Sequence, residues 1–509
     1  MRPNLPLRKP RSRAKEGPAF VFVDTTETRT GRPEDQDARA LIRRQAARSG
    51  RKNQRSQVLS REASNNPGAS SRSREVVRCA GSEPYANDGE ATLVELIDPF
   101  LAPQLSWTGY EALRMKYNFD ITYLTTLTDV SLGKFSSLLL QEDPALVGHL
   151  LRQQPSSFLS YLPSRYGSSP CLDAAMHCLA AGAGQAFGLR TTPAAMTASY
   201  GKALQSLQAA LTDGSAYLGS DVYCATRLLT LYELISRPEA GHWVLHNRGG
   251  TNLVQLRGPQ NHTSPFDWML LKSQGPSIIV DSIFTARHTI FEVPEWQSVF
   301  EQASDAESDP DAKLWWELFR TLSFVPGVLA DLRELCTRTL SQPLSQTQYF
   351  ADSSSLLERT KWVHDAIHDS HIRYQNTAPH LPSLFRLPSA PESPDRIRLR
   401  LFYSTALMQM SRALATISED KPDRAAGEVE AQTIAAQALL IPLKTADLDP
   451  AMAFHFQQRS GLPTSIVKTR ALWEPDREPK SAGLAEFLAN RWLKWHFFVD
   501  NFLLESLKS

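Results

Sequence analysis

The sequence predicts an all-α fold, an irregular multi-helix bundle preceded by a disordered, basic N-terminal tail. From about residue 91 onward, apolar residues recur at the three- and four-residue spacing that buries one face of a helix. Strand-like alternation is scarce, and no repeat of fixed period occurs. The 33 prolines are typical of a body with many helix ends rather than of long coiled coils. These observations divide the chain into a tail, residues 1–90, and a helical domain, residues 91–509.

The tail is predicted to be largely without fixed structure. Residues 1–17 are rich in Pro, Arg and Lys, and residues 49–90 are rich in Ser, Asn, Arg and Gly. Such compositions bury too little apolar surface to fold. Two short elements interrupt the tail. The apolar stretch FVFVD at residues 20–24 is expected to dock on the body as an extended arm or to bind a partner. An Arg-rich helix is expected over residues 33–48, because Pro33 and the acidic residues after it suit a helix N-terminus.

Charge is segregated between the two parts of the chain. Residues 1–78 contain 19 Lys/Arg and 8 Asp/Glu, a net charge of +11, whereas the rest contains 36 and 46, a net charge of −10. A basic tail on an acidic body indicates an anionic partner or an import receptor for the tail. We interpret the basic segment at residues 43–55 as a nuclear localisation signal, with phosphate contact and a solvated linker as the alternatives. Its charged residues are Arg43, Arg44, Arg48, Arg51, Lys52 and Arg55.

Within the domain, the periodicity predicts a series of helices separated by short breaks. In residues 171–187, apolar residues line one face while Ala and Gly fill the rest, which lets a neighbouring helix approach closely. Pro276 is expected to begin a helix, because proline suits the first turn. Residues 303–312 and the Pro-rich residues 378–395 are expected to form surface loops. Helices are predicted over residues 171–187, 276–291, 313–337 with a break near Pro326, 399–417, 431–443 and 482–507.

Residues 223–259 contain the most informative pattern of the sequence. They predict one apolar helix, a short break, and a second helix that ends at Arg-Gly-Pro. The first helix carries two apolar stripes at helical spacing, and a helix that is apolar on two faces is buried in a helical core. The stripes are Cys224, Leu228, Leu231 and Ile235, and Val222, Ala225, Leu229 and Tyr232.

The same segment carries a resemblance to a known family. Tyr-Glu in the first helix is followed by the pattern W-x2-H-x2-G-x3-L-x3-RGP. This layout resembles the fungal-specific transcription factor domain, the large helical region usually found behind a Zn2Cys6 DNA-binding cluster. Weaker similarity covers residues 168–182, VPEW at residues 293–296, and the region up to about residue 470. The signature residues are Tyr232, Glu233, Trp243, His246, Gly249, Arg257, Gly258 and Pro259.

We interpret the signature residues as structural. Trp243 is expected to pack in the core, His246 to make a buried hydrogen bond, and Gly249 to permit close contact between helices. Arg257 is expected to end the second helix before the Gly-Pro pair and to bond carbonyls or a carboxylate such as Glu233. The alternative is that Trp243 and His246, three residues apart on one helix face, line a pocket for a ligand or a partner.

The resemblance implies a nuclear transcriptional regulator that is not an enzyme and carries no cofactor. Relatives often regulate metabolic genes, including clustered secondary-metabolite pathways. The implied partners are other transcription factors or coregulators, bound through the helical domain. No stretch of the sequence is long and apolar enough to predict a membrane span.

Cysteine usage separates this chain from the larger family. A Zn2Cys6 cluster needs six cysteines within about 30 to 40 residues, since two metal ions share them. The first 170 residues contain one cysteine, Cys79. We therefore expect no autonomous sequence-specific DNA binding, and any association with DNA to be indirect or non-specific. Five cysteines, an odd number, also argue against a disulfide framework, and Cys171 and Cys178 are expected to be small core residues.

A group of three histidines is the one sequence feature that suggests a metal site or an enzyme. On a helix, His364, His368 and His371 would share one face, and a histidine pair four residues apart can chelate zinc. However, Asp365 stands where the HExxH motif of a metalloprotease has its glutamate. A polar, exposed face is the simpler interpretation, so we assign no metal. GxSxG and P-loop motifs are absent. A helical enzyme or a cytosolic scaffold protein of a fungal biosynthetic pathway remain the alternatives to a regulator.

Overall fold

Helices make up most of the chain that the computed structural model describes, and these residues contain no strand. The all-α prediction is confirmed. The chain divides after Ser106, and every described residue lies in the second unit, Trp107–Ser509. The predicted arm, Arg-rich helix and linker of the tail, and the boundary at residue 90, lie outside the described residues. The described residues are 109–125, 151, 157–186, 192–214, 216–236, 242–377, 392–474, 478–479 and 483–508.

Short 3-10 turns connect many of the α-helices. The α-helices are α1 Gly109–Tyr117, α2 Leu162–Arg165, α3 Pro170–Ala186, α4 Pro193–Thr212, α5 Ser220–Ser236, α6 His242–Arg257, α7 Pro265–Thr285, α8 Pro294–Ala306, α9 Pro310–Leu322, α10 Val325–Ser341, α11 Gln346–Thr377, α12 Pro394–Ile417, α13 Lys421–Thr445, α14 Pro450–Gln458, α15 Gly461–Lys468 and α16 Leu484–Lys508. No described helix combines the length and the apolar character needed to cross a membrane.

The first half of the domain is built around α3 and α5. Helix α3 packs against α4 and α5, and α5 packs in turn against α6. The small residues of α3 allow this contact, because a Cβ at Gly182 would stand 2.7 Å from the ring of Tyr232. Every residue of α5 from Val222 to Leu234 is buried, as its two apolar stripes predict. Burial on all sides fixes α5 as the central helix of this half.

The cysteines of the described residues are core residues. Cys171, Cys178, Cys224 and Cys336 are all buried and all carry free thiols. Burial raises the pKa of the Cys224 thiol well above its usual value, since a thiolate would lose its hydration there. These side chains behave as small apolar groups, which is the role predicted for Cys171 and Cys178.

The predicted start of a helix at Pro276 is wrong. Pro276 lies inside α7, which begins at Pro265 and ends at Thr285, so the predicted end at residue 291 is also wrong. Ser264 caps the helix, accepting a hydrogen bond from the Asp267 N–H at 3.2 Å. Ala286 ends it in the left-handed region, with φ +49°. An internal proline removes one backbone hydrogen bond, and the tertiary contacts of α7 outweigh that loss.

Other predicted boundaries differ by less. The expected loop at residues 303–312 shrinks to three residues, because α8 continues to Ala306 and α9 begins at Pro310. The helix expected at 431–443 extends over Lys421–Thr445. The break near Pro326 is confirmed, and proline there sits in the first turn of α10. The predictions for residues 171–187, 399–417 and 482–507 agree with α3, α12 and α16, with α12 beginning five residues earlier.

The second half of the domain converges on the buried guanidinium of Arg412 in α12. Its Nε and Nη2 each donate to the Glu428 carboxylate of α13 at 2.9 Å. Nη1 donates to Thr469 Oγ1 at 2.6 Å, and Nη2 also donates to the Ile466 carbonyl at 3.0 Å. The ring of Trp495, in α16, lies 5.0 Å from the guanidinium carbon. One side chain thereby ties α12 to α13, α15 and α16.

Arg412→Met is expected to lower the free energy of unfolding by about 3 to 5 kcal/mol, because it leaves the Glu428 carboxylate buried without its partner. Changing both residues, Arg412→Met with Glu428→Leu, is expected to recover part of this loss, since no charge then remains unpaired. Chemical denaturation followed by circular dichroism measures both effects.

The control is Arg338→Met, which breaks an ion pair with Asp352 whose side chains are 48% and 42% exposed. This exposed pair is expected to contribute no more than about 1 kcal/mol. If Arg412→Met is no less stable than Arg338→Met, Arg412 does not hold the second half together.

Candidate functional site

The signature residues lie on the antiparallel pair α5 and α6 and in the Gly258-Pro259 turn that follows α6. Tyr232 and Glu233 are fully buried in α5. Trp243 and His246 lie in α6, so the predicted second helix is confirmed. The side chain of Trp243 lies outside those that the structure describes, and its packing in the core stays a prediction.

His246 makes the buried hydrogen bond expected of it. The side chain is 4% exposed, and its Nε2 lies 3.2 Å from the Tyr200 hydroxyl of α4. Tyr200 in turn stacks on Tyr232, with ring centroids 4.9 Å apart. The signature thus connects α4, α5 and α6 through Tyr200, a residue that the sequence pattern did not single out.

A buried polar network joins α5, α6 and α7 at the fully buried amide of Gln274. Arg227 Nη1 donates to Gln274 Oε1 at 2.7 Å. Gln274 Nε2 donates to the backbone carbonyl and the side-chain oxygen of Asn247 and to Thr251 Oγ1, at 3.1 to 3.3 Å. The second Arg227 nitrogen donates to the carbonyl and hydroxyl of Ser273. Buried networks of this kind fix the relative positions of helices.

The close contact between helices predicted at Gly249 lies instead at Gly250. Among the described atoms, none comes within 4 Å of the position that a Cβ at residue 249 would take. A Cβ at residue 250 would stand 2.9 Å from Gln274 Oε1. The prediction for Gly249 is therefore wrong, because the glycine that faces α7 is the next residue around the helix.

The ion pair of Arg257 is made with Asp267, and not with Glu233 as the sequence suggested. Arg257 Nη2 lies 2.7 Å from Asp267 Oδ1 and 2.6 Å from the Asn261 carbonyl, so the predicted carbonyl contact is confirmed. Because α5 and α6 run antiparallel, the end of α6 lies beside the start of α5. The Arg257 guanidinium accordingly lies over the Tyr223 ring, at 5.4 Å. Glu233 is three turns further along α5.

Asp267 gathers three helix ends at one buried carboxylate. Besides Arg257, its Oδ1 accepts a hydrogen bond from Ser220, the first residue of α5, at 2.6 Å. Its Oδ2 accepts from Ser264, the cap of α7, at 2.5 Å. The chain reaches this point because α6 ends at Arg257 and Gly258, with φ +67°, turns it into the Pro259–Asn261 turn. The sequence Ser264-Pro265-x-Asp267 was the signal for this helix start.

The three predicted histidines do not act as one cluster. His364 and His368 both contact Glu430 of α13, whereas His371 lies 5.4 Å from the ring of Tyr403 in α12. All three share a face of α11, but His371 lies one turn beyond His368, where a different helix packs. Burial, together with the charges of His368 and Arg400, lowers the pKa of His371 to about 4.

Opposing effects set the pKa values of His364 and Glu430. Burial disfavours the charged form of His364, but the hydrogen bonds and charge of Glu430 outweigh it, and the pKa of His364 is raised. Burial likewise opposes ionisation of Glu430, yet hydrogen bonds from His364, His368 and Ser411 hold its pKa well below the usual range. The basic segment that contains Arg43, Arg44, Arg48, Arg51, Lys52 and Arg55 lies outside the described residues.

Gly249→Ala and Gly250→Ala form a matched pair that tests the α6–α7 contact. Alanine at 249 is expected to raise the free energy of unfolding by up to about 1 kcal/mol, the helix preference of Ala over Gly. Alanine at 250 should instead lower the free energy of unfolding by at least about 1 kcal/mol, because its Cβ displaces the Gln274 amide from Arg227 and this loss outweighs the helix preference. Thermal melts of the two variants compare them directly, and equal melting temperatures would contradict the role of Gly250.

Comparison with known proteins identifies the domain. A family model described as fungal specific transcription factor domain matches residues 150–440, more than half of the chain. No curated protein and no solved structure matches this chain. The match contains the signature helices, the Asp267 junction and the histidine pair, and it confirms the resemblance carried by the signature. The chain therefore belongs to the fungal specific transcription factor domain family, whose helical domain is that of a transcriptional regulator.

Proposed function

We propose that this protein is a nuclear regulator of metabolic genes, among them the genes of a secondary-metabolite cluster. The observation that carries the proposal is the family match over residues 150–440, because this domain belongs to transcriptional regulators. Regulation of a metabolic gene cluster is an association of the family and not a consequence of the geometry.

In this proposal the helical domain acts by binding and not by catalysis. Two signature side chains, His246 and Arg257, support this role together with Gln274, because each makes a polar contact with a neighbouring helix. All three side chains are buried between helices, which favours a role in positioning the helices over contact with a substrate. A helical enzyme or a cytosolic scaffold protein of a biosynthetic pathway is the competing function.

An exposed apolar face of α13 supports a protein partner, which would be another transcription factor or a coregulator. Val429, Leu440 and Leu443 are 66%, 45% and 79% exposed. Spacings of eleven and fourteen residues place them on one side of the helix. Exposed apolar surface that follows a helix face is typical of interaction sites.

Contact with DNA is proposed to be indirect, or non-specific through the basic tail. Of the cysteines in the chain, only Cys79 precedes Cys171, too few for a two-zinc cluster. Lys and Arg in the tail would contact phosphates, and such binding weakens steeply as salt concentration rises.

Genome-wide occupancy of the tagged protein, with expression profiling of a deletion strain, tests the function. We expect occupancy near a set of metabolic genes whose transcripts change in the deletion strain.

The double variant Leu440→Asp/Leu443→Asp should lose occupancy while remaining nuclear, because the partner that brings the protein to DNA is lost. Ile372→Asp, at an apolar residue of α11 that is 52% exposed, is the matched control and should keep occupancy. Unchanged transcripts in the deletion strain, with no occupancy, would favour the scaffold or the enzyme.

Residues 39–55 are expected to drive nuclear entry, since seven of these seventeen residues are Lys or Arg. Replacement of Arg43, Arg44, Arg51 and Lys52 by Ala should move a fluorescent fusion from the nucleus to the cytoplasm. Replacement of Arg8, Lys9, Arg11 and Arg13 removes the same charge elsewhere in the tail and should leave the fusion nuclear. If the first variant stays nuclear, another signal or a carrier partner provides entry.

A further inference from the structure

Two imidazoles and one carboxylate converge between α11 and α13. His364 Nε2 lies 2.9 Å from Glu430 Oε2, and His368 Nε2 lies 2.6 Å from Glu430 Oε1. The two histidines are one helical turn apart, and their ring centroids are separated by 4.6 Å. One ligand atom from each of the three side chains fits within 4.8 Å of the other two. The three donors therefore face a common point from two neighbouring helices.

Polar contacts behind these side chains hold them in place. Ser411 of α12 donates its hydroxyl hydrogen to Glu430 Oε2 at 2.8 Å. Asp365 Oδ1 lies 3.3 Å from His364 Nδ1. Histidines that bind metal ions usually donate their other ring N–H to a carboxylate, a carbonyl or water, which fixes the ring and leaves one nitrogen for the ion. His364 has this arrangement, with Nε2 turned toward the common point.

The cluster is open to solvent on one side. The side chains of His364, His368 and Glu430 are 14%, 37% and 27% exposed. An ion can therefore enter, and water can supply a fourth ligand. Two histidines and one glutamate form a donor set that zinc uses when it keeps a water in its fourth position.

We propose that His364, His368 and Glu430 bind one divalent transition-metal ion, with Zn²⁺ favoured by the donor set, and that the ion crosslinks α11 to α13. Tetrahedral ligands at zinc distances stand roughly 3.3 Å apart. One ligand atom from each side chain now lies within 4.8 Å of the other two, so the most distant pair must close by up to about 1.5 Å, within the reach of small side-chain rotations. Each Nε2 must give up any proton to the solvent, and the His364 ring then keeps its proton on Nδ1, next to Asp365.

The crosslink would make the stability of the helical domain depend on the concentration of the ion. An ion that binds the folded domain and not the unfolded chain stabilises the fold by mass action. The proposal goes beyond the regulatory function and stands independently of it, because it needs only the three side chains and their two helices.

The test uses the full-length chain, freed of metal by a chelator and titrated with Zn²⁺ alone. Competition with a chromogenic chelator gives the affinity, and thermal melts give the stabilisation. We expect one high-affinity Zn²⁺ per chain and a melting temperature that rises with Zn²⁺. His368→Gln and Glu430→Gln, which keep polar side chains of similar size, should each weaken binding by more than about tenfold and abolish the rise.

His288→Gln provides a matched control. His288 also contacts two carboxylates, but Glu292 lies 2.8 Å from Nδ1 and Asp331 lies 2.9 Å from Nε2. A single ion cannot take ligands from both sides of that ring, so this variant should bind Zn²⁺ like the unchanged chain. The proposal is overturned if the unchanged chain binds no stoichiometric Zn²⁺, or if His288→Gln weakens binding as much as His368→Gln does. A metal-free melt of each variant equal to that of the unchanged chain shows that a loss of binding is not a loss of fold.

Discussion

A buried guanidinium must keep its hydrogen bonds, and this constraint organises the second half of the domain. The side chain of Arg412 is fully buried, so water cannot replace a missing partner. Glu428, Thr469 and the Ile466 carbonyl supply the acceptors. These acceptors lie on α13 and at the end of α15, so that α12, α13 and α15 must meet with little freedom of position. Burial lowers the pKa of Arg412, and the attraction of Glu428 offsets part of that change.

The first half is organised in the same way, by a buried charged group that needs hydrogen-bond partners, but here the group is a carboxylate. The Asp267 carboxylate accepts from Arg257, Ser220 and Ser264, and it thereby fixes the end of α6 against the starts of α5 and α7. The Arg-Gly-Pro of the family signature is part of this junction, because the arginine supplies the counter-charge and the glycine allows the turn. The Arg-Gly-Pro part of the signature therefore helps to fix how α5, α6 and α7 meet.

The two halves are joined by further ion pairs at the start of α12. Lys272 of α7 lies 3.3 Å from Asp395, and both side chains are more than nine-tenths buried. The next residue, Arg396, makes two hydrogen bonds to the Asp311 carboxylate of α9, at 2.8 and 3.1 Å. Both bonds come from Nη1, and such charge-assisted hydrogen bonds are stronger than those between neutral groups. Because the Lys272–Asp395 pair is buried, moving α7 away from α12 would leave the Lys272 ammonium buried without its carboxylate, which is unfavourable.

Local pattern in the sequence was enough to determine the fold class, the burial of α5 on all sides, the end of α6 at Arg257 and the break before α10. Each of these depends on residues within a few turns of one another, and helical periodicity records which face of a helix is buried. Periodicity does not record which neighbouring helix covers that face, or which residues of the two helices lie opposite each other. Tertiary structure alone therefore decided that Arg257 pairs with Asp267 and not Glu233, that Gly250 and not Gly249 faces α7, and that His371 parts from His364 and His368. The start of α7 was also missed, because contacts with other helices outweigh the backbone hydrogen bond lost at Pro276.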